Sequence, residues 1–486
     1  MKEIIKKYDN IIMVGVIVLV TTGITLNVTI ADSDELWNFQ NIYKMYNGFQ
    51  IYKDANVIIT PLFFWIGEFI FKLIGANFLT FRIYNIIIHC SLYIVTYNFL
   101  KKLDISKVTS AIIVFCIILY KEYYLLLGQA NYNILALTLF ILGVYLTTKK
   151  YKYNSFIQGC ILFLVFITKQ NFGVFYGLGL FIYEMQKNKQ LKIKIKNLII
   201  EIITFILFFA IMCVILAIQN NLYNFVDYTI LGISEFAKEN VMLNMKNMIR
   251  TIVICIINIG IATFFIKDKR IDIKTEEKEN LKILTAFSCP LTLVMFPIFN
   301  EAHFIIGILL AYIEFIYIIK IIINNVEIKI SNKIKASMLA IICISMIINS
   351  AYNYILWYKH TNNEIYSYGF EHPFYGAIIE ECEQKEINNV INYIQNNTNQ
   401  VIVLSSKAAL YMVPLKASNG KMDLPFKGNL GQAGEIGLIK EINEMKNVEI
   451  LINKENNHWQ ESKWVKEYIR NNLKKIGEIE SFYIYK

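Results

Sequence analysis

The 486-residue sequence is poor in charge: only 18% of its residues are Asp, Glu, Lys or Arg, against about 25% in a soluble domain. With 56% of residues hydrophobic, the apolar excess is too large to hide in soluble cores. A soluble enzyme, a disordered chain and a nucleic-acid binder are excluded. Proline is scarce too, at six, and neither half of the chain repeats the other. That disfavours a transporter, which would show repeat symmetry and Gly/Pro-broken helices at mid-membrane. Of eight cysteines, Cys90, Cys116, Cys160, Cys213, Cys255, Cys289 and Cys343 fall in apolar runs, and Cys382 alone lies in polar sequence. One exposed cysteine builds no disulfide framework.

Long apolar runs are what the sequence has in quantity. About 20 apolar residues at 1.5 Å each cross the roughly 30 Å hydrocarbon slab. Twelve segments qualify as candidates: 11–30, 57–75, 78–100, 108–127, 131–148, 154–170, 172–186, 197–218, 249–266, 281–299, 304–323 and 336–356. The chain is expected to be an α-helical polytopic protein of the cell membrane. Its formal charge of +10 needs no acidic partner, because membrane proteins concentrate Lys and Arg in cytoplasmic loops. The first segment follows MKEIIKKYDN, lacks a small-residue cleavage site and is too long for a signal-peptide core, so it reads as an uncleaved anchor.

Segment 57–75 is broken by Gly67, Glu68 and Lys72 and is joined to the next by a bare Gly75-Ala76-Asn77 link. If it lies along the outer surface, nineteen basic residues of the connecting loops face inside, against five outside (Lys121, Lys169, Lys238, Lys246 and Arg250). If it crosses, the ratio inverts. The positive-inside bias therefore favours eleven crossings with the N-terminus inside. Residues 1–356 form the membrane domain on this reading, with 31–77 as the first outer loop and its juxtamembrane helix. Residues 357–486 are polar and alternate helical and strand patterns, so they are expected to form a small extracytoplasmic α/β domain. That domain is expected to shape the roof of a site or help acceptor choice.

With this topology the unusual polar residues collect on the outer side: Asp32, Asp34 and Glu35 after the first crossing, then Gln129, Asn131 and Asn133, then Lys169, Gln170 and Asn171, then Asn300, Glu301 and His303. Ionisable groups at membrane helix ends are costly to bury unless paired or wetted, which makes them functional candidates. Glu301 and His303, without a second histidine, make weak metal-ligand spacing. Gly428-x-x-Gly431-x-x-Gly434 lacks a phosphate-cradle spacing and reads as a turn opening a helix.

From Asp34 to about Leu100 the chain resembles the first outer loop of the GT-C superfamily of glycosyltransferases. The residues carrying this are Asp34-Glu35, Ile51-Tyr52, Thr60-Pro61-Leu62-Phe63-Phe64-Trp65 and Phe81-Arg82-Ile83-Tyr84. Their order is similar to that in the protein O-mannosyltransferases and in the aminoarabinose transferases acting on lipid A. Ile167-Thr168-Lys169-Gln170-Asn171-Phe172-Gly173 resembles a lysine-containing turn midway along the same proteins. The resemblance covers residues 8–190, and the later helices only by architecture. One departure stands out: where the aminoarabinose transferases carry Lys-Pro-Pro-Leu, this chain has Ile59-Thr60-Pro61-Leu62.

The resemblance implies inverting transfer of a sugar from a polyprenyl-phosphate donor to a hydroxyl acceptor at the outer membrane boundary. It implies Asp34 as general base, with Asp32 as competitor and Glu35 as an orienting neighbour. Arg82 and Lys169 become candidates for the lipid phosphate, and Gln170, Asn171, Glu301 and His303 for lining the substrate. No cofactor is required by this chemistry; a divalent metal stays open, with no ligand set assigned. The alternative reading is a transporter or flippase of a lipid-linked sugar.

Overall fold

The computed structural model describes residues 2–26, 30, 33–119, 131–149, 151–267, 273–325, 365–455 and 458–486, with scattered helical positions between 334 and 348. The membrane part runs α1 (Lys2–Leu26), α2 (Ser33–Tyr46), α3 (Leu62–Ile74), α4 (Phe78–Lys102), α5 (Lys107–Leu119), α6 (Tyr132–Thr147), α7 (Asn154–Thr168), α8 (Gln170–Gln186) and α9 (Leu191–Ile218). A segment of two short helices, Leu222–Val226 and Gly232–Glu239, separated by the π turn Asp227–Leu231, then leads to α10 (Met245–Lys267), α11 (Thr275–Thr292) and α12 (Glu301–Asn325).

Among the described helices, α4, α9, α10 and α12 are long and apolar enough to cross a membrane, while α1, α5, α6 and α7 carry shorter apolar stretches. The count of eleven crossings stays an expectation: segment 336–356 lies almost wholly outside the described residues, as does the end of 108–127. Within 57–75 the helix is only the thirteen residues of α3, about 20 Å, short of a crossing. Gly67 faces Ile42 of α2 so closely that a Cβ there would meet its Cδ1 at 2.3 Å. α4 and α12 are inner helices, with 61% and 67% of their apolar windows buried; α9 and α10 bury 17% and 22%.

Capping begins the helices where polar residues interrupt the apolar runs. Asn77 accepts from the Thr80 amide at 2.9 Å at the start of α4, Asn131 from Asn133 at 2.7 Å before α6, and Asn300 from His303 at 3.0 Å before α12. Each satisfies a donor that the helix itself leaves orphaned. Inside the bundle, the Glu314 carboxylate of α12 accepts from Thr285 and Ser288 of α11, both at 2.5 Å, and from Asn258 of α10 at 3.3 Å. These bonds tie three helices together and satisfy a buried polar group.

The C-terminal part holds β1 (Ile365–Ser367), β2 (Ile378–Glu380), α13 (Glu381–Asn396), β3 (Gln400–Leu404), α14 (Gly434–Glu444), β4 (Val448–Asn453), α15 (Lys463–Asn472), β5 (Lys475–Ile479) and β6 (Phe482–Tyr485). β1 and β2 form an antiparallel pair; the larger sheet has the order β3-β4-β6-β5, with β3 and β4 parallel and the other neighbours antiparallel. Ile402, Leu404, Leu438, Ile450, Val465 and Ile469 form its own small core.

This part is docked on the end of the helical bundle where α4 begins. The Phe78 and Leu79 amides at the start of α4 donate to the Pro373 and Tyr375 carbonyls, both at 2.8 Å. Phe374 packs its ring against both Phe39 and Phe78, at 5.4 and 6.0 Å between centroids, and those two stand 5.2 Å from each other. Asn56, between α2 and α3, donates to the Leu424 carbonyl, and Gln40 of α2 to Asp423 at 3.0 Å. Two glycines make a second seam. Gly428 and Gly431 have φ of +82° and +69°, and Cβ atoms there would stand 2.5 Å from Phe236 Cα and 2.5 Å from Asp227 Oδ2. The glycine run expected to be a helix-opening turn is therefore also where the C-terminal part meets the segment 227–240.

Candidate active site

The starts of α2, α6, α8 and α12 surround one cavity of about 470 Å³, roofed by side chains of the C-terminal part. Asp34 enters it from the first turn of α2, where a carboxylate also complements the helix dipole. Asn133 comes from the start of α6, and Lys169 from the single residue between α7 and α8. Gln170 and Asn171 follow in the first turn of α8, and Asn300 and His303 open α12.

Lys169 adopts an extended conformation that breaks the helix. Its ammonium donates to Asn133 Oδ1 at 2.5 Å and stands 5.4 and 5.7 Å from the ring centres of Tyr132 and Phe172. The carboxylate of Asp34 is the charge that acts on it, and Lys169 in turn acts on His303. His303 Nδ1 also lies 2.7 Å from Asn300 Oδ1. A carboxylate, an ammonium and an imidazole thus share one enclosed volume.

The other expected residues have different surroundings. Gln170 spans two backbones, donating to the Ile58 carbonyl at 2.7 Å and to the Thr229 carbonyl at 2.9 Å. It ties the first outer loop to the segment 227–240, a positioning task. Asn171 donates to the Val294 carbonyl at 3.4 Å. Arg82 and Glu35 do not line the cavity: they form a fully buried ion pair at 3.3 Å, and Arg82 also donates to the Thr25 carbonyl at 3.2 Å. This pair joins α4, α1 and the residue next to Asp34, so it holds the first turn of α2. Glu301 is the first residue of α12 and is not among the lining residues. Asp32 lies outside the described residues. Among the described residues, no group of three or more His, Cys, Asp or Glu side chains gathers as a metal site.

Two parts of the lining escape the sequence reading. Trp37 lies one turn after Asp34, on the same face of α2, and lines the cavity. Its Nε1–H is buried without a hydrogen-bond partner among the described residues. A buried donor of this kind is satisfied when an oxygen-rich ligand fills the space. The roof is aromatic: Phe426 and His458 stack at 4.3 Å between centroids, with Trp459 beside them, 53% exposed. Gln460 donates to Asn240 at 2.8 Å and locks this loop onto the outer segment. The signal for the roof was the adjacent placement of two rare residue types, His458 and Trp459, in a loop.

No family model matches this chain, and no curated protein matches it. Among solved structures it is similar to the apo oligosaccharyltransferase of Archaeoglobus fulgidus. The TM-score is 0.54 at 9% sequence identity, over 92% of this chain and 70% of that one. The likeness is one of fold. It bears on architecture alone and does not reach the narrower O-mannosyltransferase type.

Proposed function

We propose that this protein is an inverting membrane glycosyltransferase that moves a sugar from a polyprenyl-phosphate donor to a hydroxyl acceptor on the outer face of the cell membrane. The observation that carries the reading is that Asp34 and Lys169 line a single cavity between the helix ends and the C-terminal roof. Its volume suits a small-molecule site. Residues 357–486 act in this reading as an extracytoplasmic domain that roofs the site.

In the reaction, Asp34 takes the proton of the acceptor hydroxyl as that oxygen bonds to the anomeric carbon. The bond from the anomeric carbon to the phosphate oxygen breaks, and its electron pair leaves with the lipid phosphate. The products are the glycosylated acceptor and polyprenyl phosphate. Lys169 holds the leaving phosphate, where an ammonium removed from bulk water is worth more than in solution. The unpaired Trp37 N–H supplies a further donor to a sugar or phosphate oxygen. The aromatic roof offers flat apolar faces to a sugar ring.

Membranes containing the protein, incubated with a panel of radiolabelled polyprenyl-phosphate sugars, should transfer label from one of them to a non-donor acceptor. Membranes carrying Asp34→Asn should not. Donor movement across a reconstituted bilayer without any label transfer would replace this reading with that of a flippase.

A further inference from the structure

The far end of α8 opens on a second, larger cavity. Gln170 at one end of this helix touches the candidate active site and Gln186 at the other lines the second volume. The two sites are thus separated by a 17-residue helix, about 25 Å. The second cavity measures about 1290 Å³ and lies among three stretches: residues 151–156 at the start of α7, the loop joining α8 to α9, and the facing ends of α10 and α11. All three belong to the lysine-rich set expected inside the cell.

Its chemistry is basic. Lys152, Lys189, Lys196, Lys267 and Lys278 line it, and none has a carboxylate within ion-pair distance among the described residues. Of the acids nearby, Glu201 is buried and does not line the cavity, and Glu279 and Glu184 are already engaged. Glu279 lines the cavity with Lys282 at 3.6 Å and accepts from Tyr183 at 3.0 Å. Glu184 pairs with Lys187 and accepts from Asn197 at 3.1 Å. Five uncompensated ammonium groups around one volume repel one another, and an anion relieves that repulsion.

The size and the flanks decide which anion. The volume equals that of roughly forty waters, so an inorganic phosphate would leave it mostly wet. Two walls of the cavity are the ends of α9 and α10, the helices that bury least of their apolar surface. Along α9 the exposed residues include Ile199, Ile203, Leu207 and Val214, and along α10 Ile252, Ile256 and Phe264. Apolar surface leading up to a basic basin matches a phospholipid, with its chains on the helices and its phosphate at the helix ends. Basic pockets between membrane helices on the cytoplasmic side take anionic headgroups. We infer that this basin is a binding site for an anionic phospholipid of the inner leaflet. It lies away from the candidate active site and does not depend on the reaction proposed there.

The test uses the full-length protein in phosphatidylcholine nanodiscs, titrated with phosphatidylglycerol and followed by native mass spectrometry. The triple substitution Lys189→Gln, Lys196→Gln and Lys278→Gln should weaken phosphatidylglycerol binding by about 10- to 100-fold. The same charge loss in the C-terminal part, Lys385→Gln, Lys440→Gln and Lys463→Gln, should leave it within about 2-fold. A triple Lys→Arg protein at 189, 196 and 278 should bind as the parent does. Equal losses in the two glutamine triples would overturn the site, as would loss in a folded arginine triple. Inorganic phosphate or glycerol phosphate binding as tightly as the lipid would overturn its assignment to a lipid.

Discussion

Lys44 of α2 and Asp423 of the C-terminal part form an ion pair whose side chains are only 4% and 1% exposed. Asp423 accepts in addition from Gln40 and from the Asn419 amide, and Lys44 donates to the Asp54 carbonyl. Lys44 sits on α2, the helix that also carries Asp34 and Trp37 into the cavity. Anything that loosens the docked C-terminal part at this point loosens the helix that aims Asp34.

Breaking this pair on one side leaves a buried charge. Asp423→Asn is expected to cost about 3 kcal/mol, the range for an orphaned partner. Lys44→Met together with Asp423→Asn removes both charges, and its cost should fall short of the sum of the two singles by at least about 1 kcal/mol. Melting of the purified protein in detergent, read as a double-mutant cycle, checks this. Strict additivity would mean that the two residues do not act as a pair.

The glycine seam makes a second prediction. Gly428 and Gly434 both have positive φ, but a Cβ at Gly428 would strike Phe236 Cα whereas nothing stands near Gly434. Gly434→Ala should cost only the left-handed strain, about 1 kcal/mol. Gly428→Ala adds a backbone clash and should cost about 2–4 kcal/mol. It should also raise protease sensitivity in residues 420–435 while the helical core stays intact. Equal effects of the two substitutions would remove the close approach as the reason for glycine at 428.

How much of this was legible in the sequence depends on the range of the interaction involved. Apolar runs and capping residues act locally, so the helices around Lys169 and His303 could be read from them, whereas α2, which carries Asp34, has no apolar run. Six elements of the C-terminal part, three helices and three strands such as Val448–Asn453, follow from local patterns, while β5 escaped because three of the five residues of Lys475–Ile479 face water. The fate of Arg82 was not legible. A cation near a helix end can reach headgroups, substrate or a carboxylate, and only the fold brings Glu35 to it. The roof was hidden for the same reason, since His458 and Trp459 reach the cavity through docking and not through any local pattern.

Glu449 on β4 gives a prediction in pH. Burial raises its carboxyl, but hydrogen bonds from Tyr393, Asn397 and Asn399 and the charge of Lys486 outweigh that and hold it below the usual carboxylate range. A depressed carboxyl contributes stability that is fully present above its unfolded value, near 4.5, and is lost as pH falls through its folded value. Between about pH 6 and pH 3, the parent protein should therefore lose more melting temperature than Glu449→Gln does. Parallel pH profiles for the two proteins would show that this carboxylate is not a stabilising group.

The last prediction separates the roles of Asp34 and Lys169. Asp34→Asn keeps the shape of the side chain and removes the proton acceptor, so transfer should fall by about 10²–10⁴-fold. Donor binding should change far less, because a general base acts only when the acceptor oxygen attacks. Lys169→Ala should show the opposite split: a cation on the phosphate holds ground state and transition state alike, so the loss appears chiefly as weaker donor binding. Lys169 also donates to Asn133, so Asn133→Ala should reproduce a smaller share of that binding loss by freeing the ammonium from its fixed position. Turnover and donor affinity, measured on the same purified proteins with a labelled polyprenyl-phosphate sugar, distinguish the patterns. Near-normal turnover of Asp34→Asn would remove Asp34 from the role of base and make Asp32, two residues earlier, the next carboxylate to test.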